Sequence, residues 1–316
     1  VFRKEELNLR LLAFSSGTLL GNELIAGTAI ALSYLQVSIL KPWFAYSLTA
    51  LLLLSIMIGL RAVDLSSIRL ARLNALQLIL ISLTTAVAIS ALLINLSMPT
   101  AGWDSLDYWA PLANDFISSQ TDSPARTWLY DGTHPSTVAV ISAWWAYWTY
   151  ELSGLSLPYL GWWFIWASLI IATASFTHFF SRSLNLSLLS AYITASIPLL
   201  ENHVLMGGYA ELFLVAHLVV SAAMLASGAA IKHRGAVLTG LILCLGCIYI
   251  KNIGYLYSGL LLLSVSLITL GSSPRRAVIY VILLSTLAFY SLSFFAGQSF
   301  EIGNRIITIE EPDLLQ

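Results

Sequence analysis

The chain has 316 residues, of which 58% are hydrophobic and only 10% charged, and its mean hydropathy is +0.82. Soluble domains carry about a quarter charged residues, so a fold built for water is excluded. Fifteen basic and sixteen acidic residues nearly cancel, to a net charge of -1, and no basic tract offers a nucleic-acid surface.

In hydrocarbon every backbone amide must be paired within its own segment, so a crossing helix needs about 20 apolar residues. In chain order such stretches fall at about 11–37, 43–60, 75–96, 159–180, 186–200, 210–230, 236–251, 254–271 and 277–296, or about nine spans. The opening VFRKEELNLR mixes acids with bases and has no small-residue cleavage site, which argues against a removable signal peptide. Between the third and fourth spans lies a polar loop, 97–136. A further apolar stretch, 136–150, reads STVAVISAWWAYWTY and carries five aromatic rings in its last seven residues.

Charge parity decides what that stretch does. With nine crossings and a cytoplasmic N-terminus, eleven of the fifteen Lys and Arg fall inside: Arg3, Lys4, Arg10, Arg61, Arg69, Arg72, Arg182, Lys232, Arg234, Arg275 and Arg276. A tenth crossing at 136–150 would move five of them outside. The stretch therefore reads as a juxtamembrane helix lying in the interface, where Trp and Tyr rings prefer to sit. The expectation is an all-α integral membrane protein forming a single polytopic domain over 1–316, with an outer loop at 97–136 and an interfacial helix at 136–150. This orientation places the loop, the segment 201–211, Lys251 with Asn252, and the tail from Phe300 on one outer face.

The loop begins PTAGWDSLDYWAPLANDF. On a helix Asp104, Asp107 and Asp115 would fall within about 80° of one another, with Tyr108 beside them. Asp122 and Asp131 follow in an irregular Ser, Thr and Pro-containing stretch. An outer loop must be polar in any case, but five Asp here out of sixteen acids in the chain is a concentration. Paired carboxylates at a lipid interface suit a general base or a divalent-cation site, and the cofactor is left open between a divalent cation and none. His134-Pro135 closes the loop, and a lone His is usually structural.

The segment IPLLENHVLMGGYAELFL holds Glu201, His203 and Glu211 at the membrane edge, where ionisable groups are costly and hence candidates for function. Gly207 and Gly208 allow a tight turn. Glu211 also suits the start of a helix as a complement to the helix dipole. His217, two turns further on, reads as a residue that packs or pairs within the bundle, and Glu23, inside the first span, as a bundle pairing. Lys251, in CIYIKNIGYLYSG, would either snorkel to headgroups or meet a lipid phosphate. Cys244 and Cys247 form a CxxC inside an apolar run and read as small packing residues. There is no HExxH, GxSxG, phosphate loop or dinucleotide fingerprint.

Taken in order, these pieces resemble the membrane glycosyltransferases of superfamily C, especially bacterial members of the lipopolysaccharide glycosyltransferase, protein mannosyltransferase and aminoarabinose transferase type. WDSLDYWAPLA looks like the family's acidic motif in the first long outer loop, with Asp104 in the matching place. His134-Pro135-Ser136 is similar to its Pro-containing segment before an interfacial helix. Gly208-Tyr209-Ala210-Glu211 looks like its GYAD, and Lys251-Asn252-Ile253-Gly254 like its KNEG; the chain differs at Leu112, where the family has Lys, and at Glu211 and Ile253.

The resemblance covers roughly 75–270. It implies transfer of a sugar from a polyprenyl-phosphate donor to a glycan, lipid or protein acceptor, with inversion, at the outer face of a bacterial cytoplasmic (inner) membrane. Asp104 would be the general base and Lys251 would hold the donor phosphate. Asp107, Tyr108, Trp103, Trp109, His134, Glu201, His203, Tyr209, Glu211 and Asn252 would line the acceptor side, and Trp144 and Trp145 could stack on sugars or anchor in the interface. Two other classes remain. A transporter should carry charges along the middle of several helices, and only Glu23 and His217 lie there. A non-catalytic subunit of an envelope complex would use the aromatic loop for docking.

Overall fold

The computed structural model describes residues 2–34, 40, 73–97, 100–101, 110–119, 137–251, 254–269, 299–302 and 305–308. These are overwhelmingly helical. The helices are α1 (Phe2–Tyr34), α2 (Ala75–Ser97), α3 (Ala110–Ser119), α4 (Thr137–Ser153), α5 (Leu160–Ser181), α6 (Leu184–Ala195), α7 (Pro198–Leu205), α8 (Ala210–Ala230), α9 (Arg234–Ile250) and α10 (Gly254–Thr269). Among them α2, α5 and α8 are long and apolar enough to cross a membrane, and α6 with α7 makes a fourth such unit, bent by 54°. The expected spans at 43–60 and 277–296 lie outside the described residues.

Where the sequence suggests one span over 186–200, the structure has two helices. The first stops at Ala195, and Pro198 opens the second at its N-terminal turn. Proline lacks the amide that would continue the ladder and disfavours helix in the residue before it, so the axis breaks here. Beyond the all-helical expectation are two small strand pairs, a parallel one of β1 (Thr100–Ala101) with β2 (Met206–Gly207) and an antiparallel one of β3 (Ser299–Ile302) with β4 (Arg305–Thr308). The second occupies part of the tail from Phe300 and brings Phe300 opposite Ile307 and Glu301 opposite Ile306.

The helices are arranged for lipid rather than water. On α1 the buried positions Leu12, Ser15, Ser16, Leu19, Asn22, Ala26 and Ala29 recur at helical spacing, while Leu11, Phe14 and Leu24 are exposed. Small and polar side chains thus face inward with Leu12 and Leu19, while other bulky apolar ones face outward. On α2 the large residues Leu76, Leu78, Ile79, Leu83, Ile89 and Leu93 are all exposed.

Helix pairs meet through small residues, as expected where association rests on close packing and interhelical hydrogen bonds. Ser221 donates to Gly240 O at 2.6 Å, joining α8 to α9, and Ser258 donates to Cys244 O at 2.6 Å, joining α9 to α10. Cys244 returns a weak bond from Sγ to Ser258 O, and both cysteines are buried and free, in keeping with a packing role. The aromatic centre is Trp162 on α5, fully buried, edge-on to Phe213 of α8 with ring centroids 4.8 Å apart.

The bundle has two distinct ends. At one, Trp162 Nε1 donates to Tyr209 O (2.9 Å), so α5 and α8 start side by side and run in the same direction. At the other lie the α5–α6 turn at Arg182 and the α8–α9 turn at Lys232, with Gln77 at the start of α2 donating to Asn185 Oδ1 (2.8 Å). Helix α4 keeps to the first end throughout. Thr137 donates to Tyr249 O (2.6 Å), Gly161 leaves space for the Trp145 ring, and Thr149 Oγ1 accepts from Leu157 N (2.8 Å). Its residues from Thr137 to Ala143 are buried on every side, because α1 and α3 both pack against it.

Candidate functional site

Lys251 and Glu211, forty residues apart in sequence, form an ion pair at the first end of the bundle. Glu211 lies in the first turn of α8, where Gly208 at φ +100 turns the chain and the Trp162 indole holds Tyr209 O. Lys251 caps α9 in extended conformation, its N–H still donating to Cys247 O while its side chain leaves the helix for the carboxylate. Both side chains are partly exposed, at 26% for Lys251 and 38% for Glu211, so the pair is open to a ligand. Glu211 Oε1 takes the ammonium, whereas Oε2 is enclosed and has no hydrogen-bond partner among the described residues.

His203 and Tyr209 complete the cluster. Their rings meet edge to face with centroids 4.8 Å apart, His203 Nδ1 donates to Leu199 O (2.6 Å), and His203 lies near enough to act electrostatically on the Glu211 carboxylate. The structure therefore brings together four residues singled out from sequence: His203, Tyr209, Glu211 and Lys251. Glu201 sits half-buried on the first turn of α7, and among the described residues no hydrogen bond or ion pair joins it to the Lys251–Glu211 pair. Trp103, Asp104, Asp107, Tyr108, Trp109, His134 and Asn252 lie outside the described residues.

Both ends of the acidic loop reach this cluster. At its start, Thr100 and Ala101 pair in parallel with Met206 and Gly207, the residues between His203 and Tyr209. At its finish, Thr137 is bonded to Tyr249 O, two residues before Lys251. The approach at β2 is close: a Cβ on Gly207 would lie 2.3 Å from Tyr159 Cβ, so only glycine fits. Asn95, in the last turn of α2, is buried and donates to both Tyr159 O (3.4 Å) and Val204 O (3.2 Å), fixing the base of the loop to the segment that carries His203.

Sequence reasoning passed over Asn95, although an amide in the final turn of an apolar span is a costly group that must find partners. It also left open whether Trp144 and Trp145 could face a sugar. Trp145 stacks on Phe164 with centroids 5.4 Å apart and lies over Gly161, so its ring is engaged in packing.

Two turns below the pair, Glu23 and His217, each expected inside the bundle, meet one another. His217 is fully buried, its Nδ1 donates to Phe213 O (2.7 Å), and its Nε2 lies 3.2 Å from Glu23 Oε1. Neither Nε2 nor Oε1 has a hydrogen-bond partner among the described residues, so the two groups are paired by proximity inside the bundle. Gly246 leaves room for the Glu23 carboxyl, whose Cδ would lie 3.2 Å from an added Cβ. Among the described residues no three His, Cys, Asp or Glu side chains converge on a point that could hold a metal ion.

No protein-family model, no characterised protein and no solved structure matches the chain.

Proposed function

We propose that the protein is a multi-spanning membrane glycosyltransferase that moves a sugar from a polyprenyl-phosphate donor to an acceptor hydroxyl at the outer face of a bacterial cytoplasmic membrane. The observation that carries this reading is the convergence on one bundle end of an ammonium, a carboxylate and a His–Tyr pair, clasped by both ends of a loop rich in Asp. Nine spans and an interfacial α4 accompany it, and the course of α4 along a single end of the bundle supports the latter.

In this reading the acceptor oxygen attacks the anomeric carbon from the side opposite the phosphate, and the bond from that carbon to the phosphate oxygen breaks. Asp104 accepts the hydroxyl proton. Polyprenyl phosphate leaves with the bonding electron pair, and Lys251 stabilises its growing charge. Glu211 holds Lys251 in place before the donor arrives; the donor phosphate then competes for the ammonium. Asp107, Glu201, His203 and Tyr209 shape the acceptor side.

The test is turnover of a lipid-linked sugar by purified protein. Asp104→Asn should lower the rate at least about 100-fold, the scale of general-base loss, and Lys251→Gln by a similar factor. Wild-type protein that consumes no lipid-linked sugar, or Asp104→Asn as active as wild type, rules the reading out. Thiol labelling of Asp122→Cys and Lys232→Cys tests the topology, since both reacting from the same side would break it.

A further inference from the structure

The turn between α8 and α9, at the end of the bundle remote from Lys251, carries a groove of about 350 Å³. It is lined by the cationic Lys232 and Arg234 and by Gly228, Val237, Leu238 and Leu241. On α9 the positions 234, 237, 238 and 241 follow the helical i, i+3, i+4, i+7 spacing, so one strip of surface passes from cationic to aliphatic within two turns.

The turn that carries the two cations is closed by its own hydrogen bonds. His233 N donates to Gly228 O (2.8 Å), Lys232 N to Ala229 O (3.3 Å), and the His233 imidazole accepts from Ala236 N (3.1 Å). Lys232 itself adopts φ 57, a left-handed conformation that a side chain adopts at a cost. Among the described residues neither Lys232 nor Arg234 makes an ion pair, and the sequence contains no acidic residue between Glu211 and Glu301 to supply one locally. The counter-charge must come from outside this part of the chain.

Its depth is set by α8. Twenty-one residues at about 1.5 Å rise give roughly 30 Å, the thickness of the hydrocarbon core, so the turn lies where headgroups begin. We propose that this groove is a binding site for an anionic phospholipid, its phosphate held between Lys232 and Arg234 and one acyl chain laid along Val237, Leu238 and Leu241. The site is separate from the Lys251 cluster and needs only that α8 spans a bilayer, not that the protein transfers sugars.

Purified protein in detergent, titrated with phosphatidylglycerol or with phosphatidylcholine of the same acyl chains and read by native mass spectrometry, provides the test. The expected result is a phosphatidylglycerol adduct that survives activation which strips phosphatidylcholine. Lys232→Gln with Arg234→Gln should lower phosphatidylglycerol occupancy roughly tenfold or more, from the loss of two headgroup contacts. Leu241→Trp, which fills the groove and leaves both charges, should lower it as well, while Arg182→Gln at the neighbouring turn should not. Equal retention of the two lipids, an undiminished adduct in the Gln pair, an equal loss in Arg182→Gln, or displacement of the adduct by inorganic phosphate alone would each overturn the proposal. The Gln substitutions lie on an exposed turn, and unchanged thermal unfolding of that variant ties any loss of lipid to the site.

Discussion

At the end of the bundle where Lys251 meets Glu211, polar side chains are positioned by residues far away in sequence: Glu211 by its ammonium forty residues on, and the flanking segment by Asn95 more than one hundred residues before it. At the opposite end Arg182 and Lys232 are positioned by their own turns, each closed by backbone hydrogen bonds within four or five residues. The first arrangement holds groups of both signs against one another, and at the second each of the two turns carries a cationic side chain. An end built from long-range contacts can fix a catalytic geometry, because several elements must agree before it forms. A turn closed locally can only display what it carries, which suffices for meeting a charged surface.

This contrast can be broken experimentally. The largest effect on stability should follow His217→Ala, which strands Glu23 in the bundle beneath the first end. A loss of about 3 kcal/mol is expected in denaturant unfolding, falling to well under half of that in a Glu23→Gln background. A single-variant loss below about 1 kcal/mol would show that the pair is incidental to the fold.

Next comes Gly207→Ala. Its new methyl would meet Tyr159, and overpacking of this kind costs about 1–3 kcal/mol. Because it also pushes β1 from β2, donor turnover should drop further than the lost stability explains. Full activity with a lowered melting point would separate the loop base from the site.

Smallest, and opposite in sign, is Lys232→Gly. Glycine adopts φ 57 without strain, so the melting point should rise by an amount worth about 0.5–1 kcal/mol. Thus one end should resist gaining a single carbon while the other tolerates the loss of a whole side chain.

Much of this fold was legible in the sequence because lipid imposes length and composition. The stretches 75–96, 159–180 and 210–230 nearly coincide with α2, α5 and α8, since each is a continuous apolar run ended by polar or turn residues. The break at Pro198 was readable from backbone chemistry but was hidden by the unbroken hydropathy around it. Of the site, His203, Glu211 and Lys251 were found as costly polar groups at span edges and Tyr209 through its place in the GYAE stretch, and charge parity put them on one side. What could not be read was the contact map. Nothing in a one-dimensional pattern pairs Thr100 with Met206, or Thr137 with the carbonyl of Tyr249, because these bonds depend on how α2, α4, α7 and α9 come together.

The anchoring of both loop ends has a practical consequence. With Thr100–Ala101 bound to β2 and Thr137 bound to α9, the intervening chain begins and ends on fixed posts. Closing a longer loop between fixed posts adds only about 0.6 kcal/mol for each doubling of its length. Residues added next to either post should therefore cost the fold little, with Lys251 and Glu211 still facing each other.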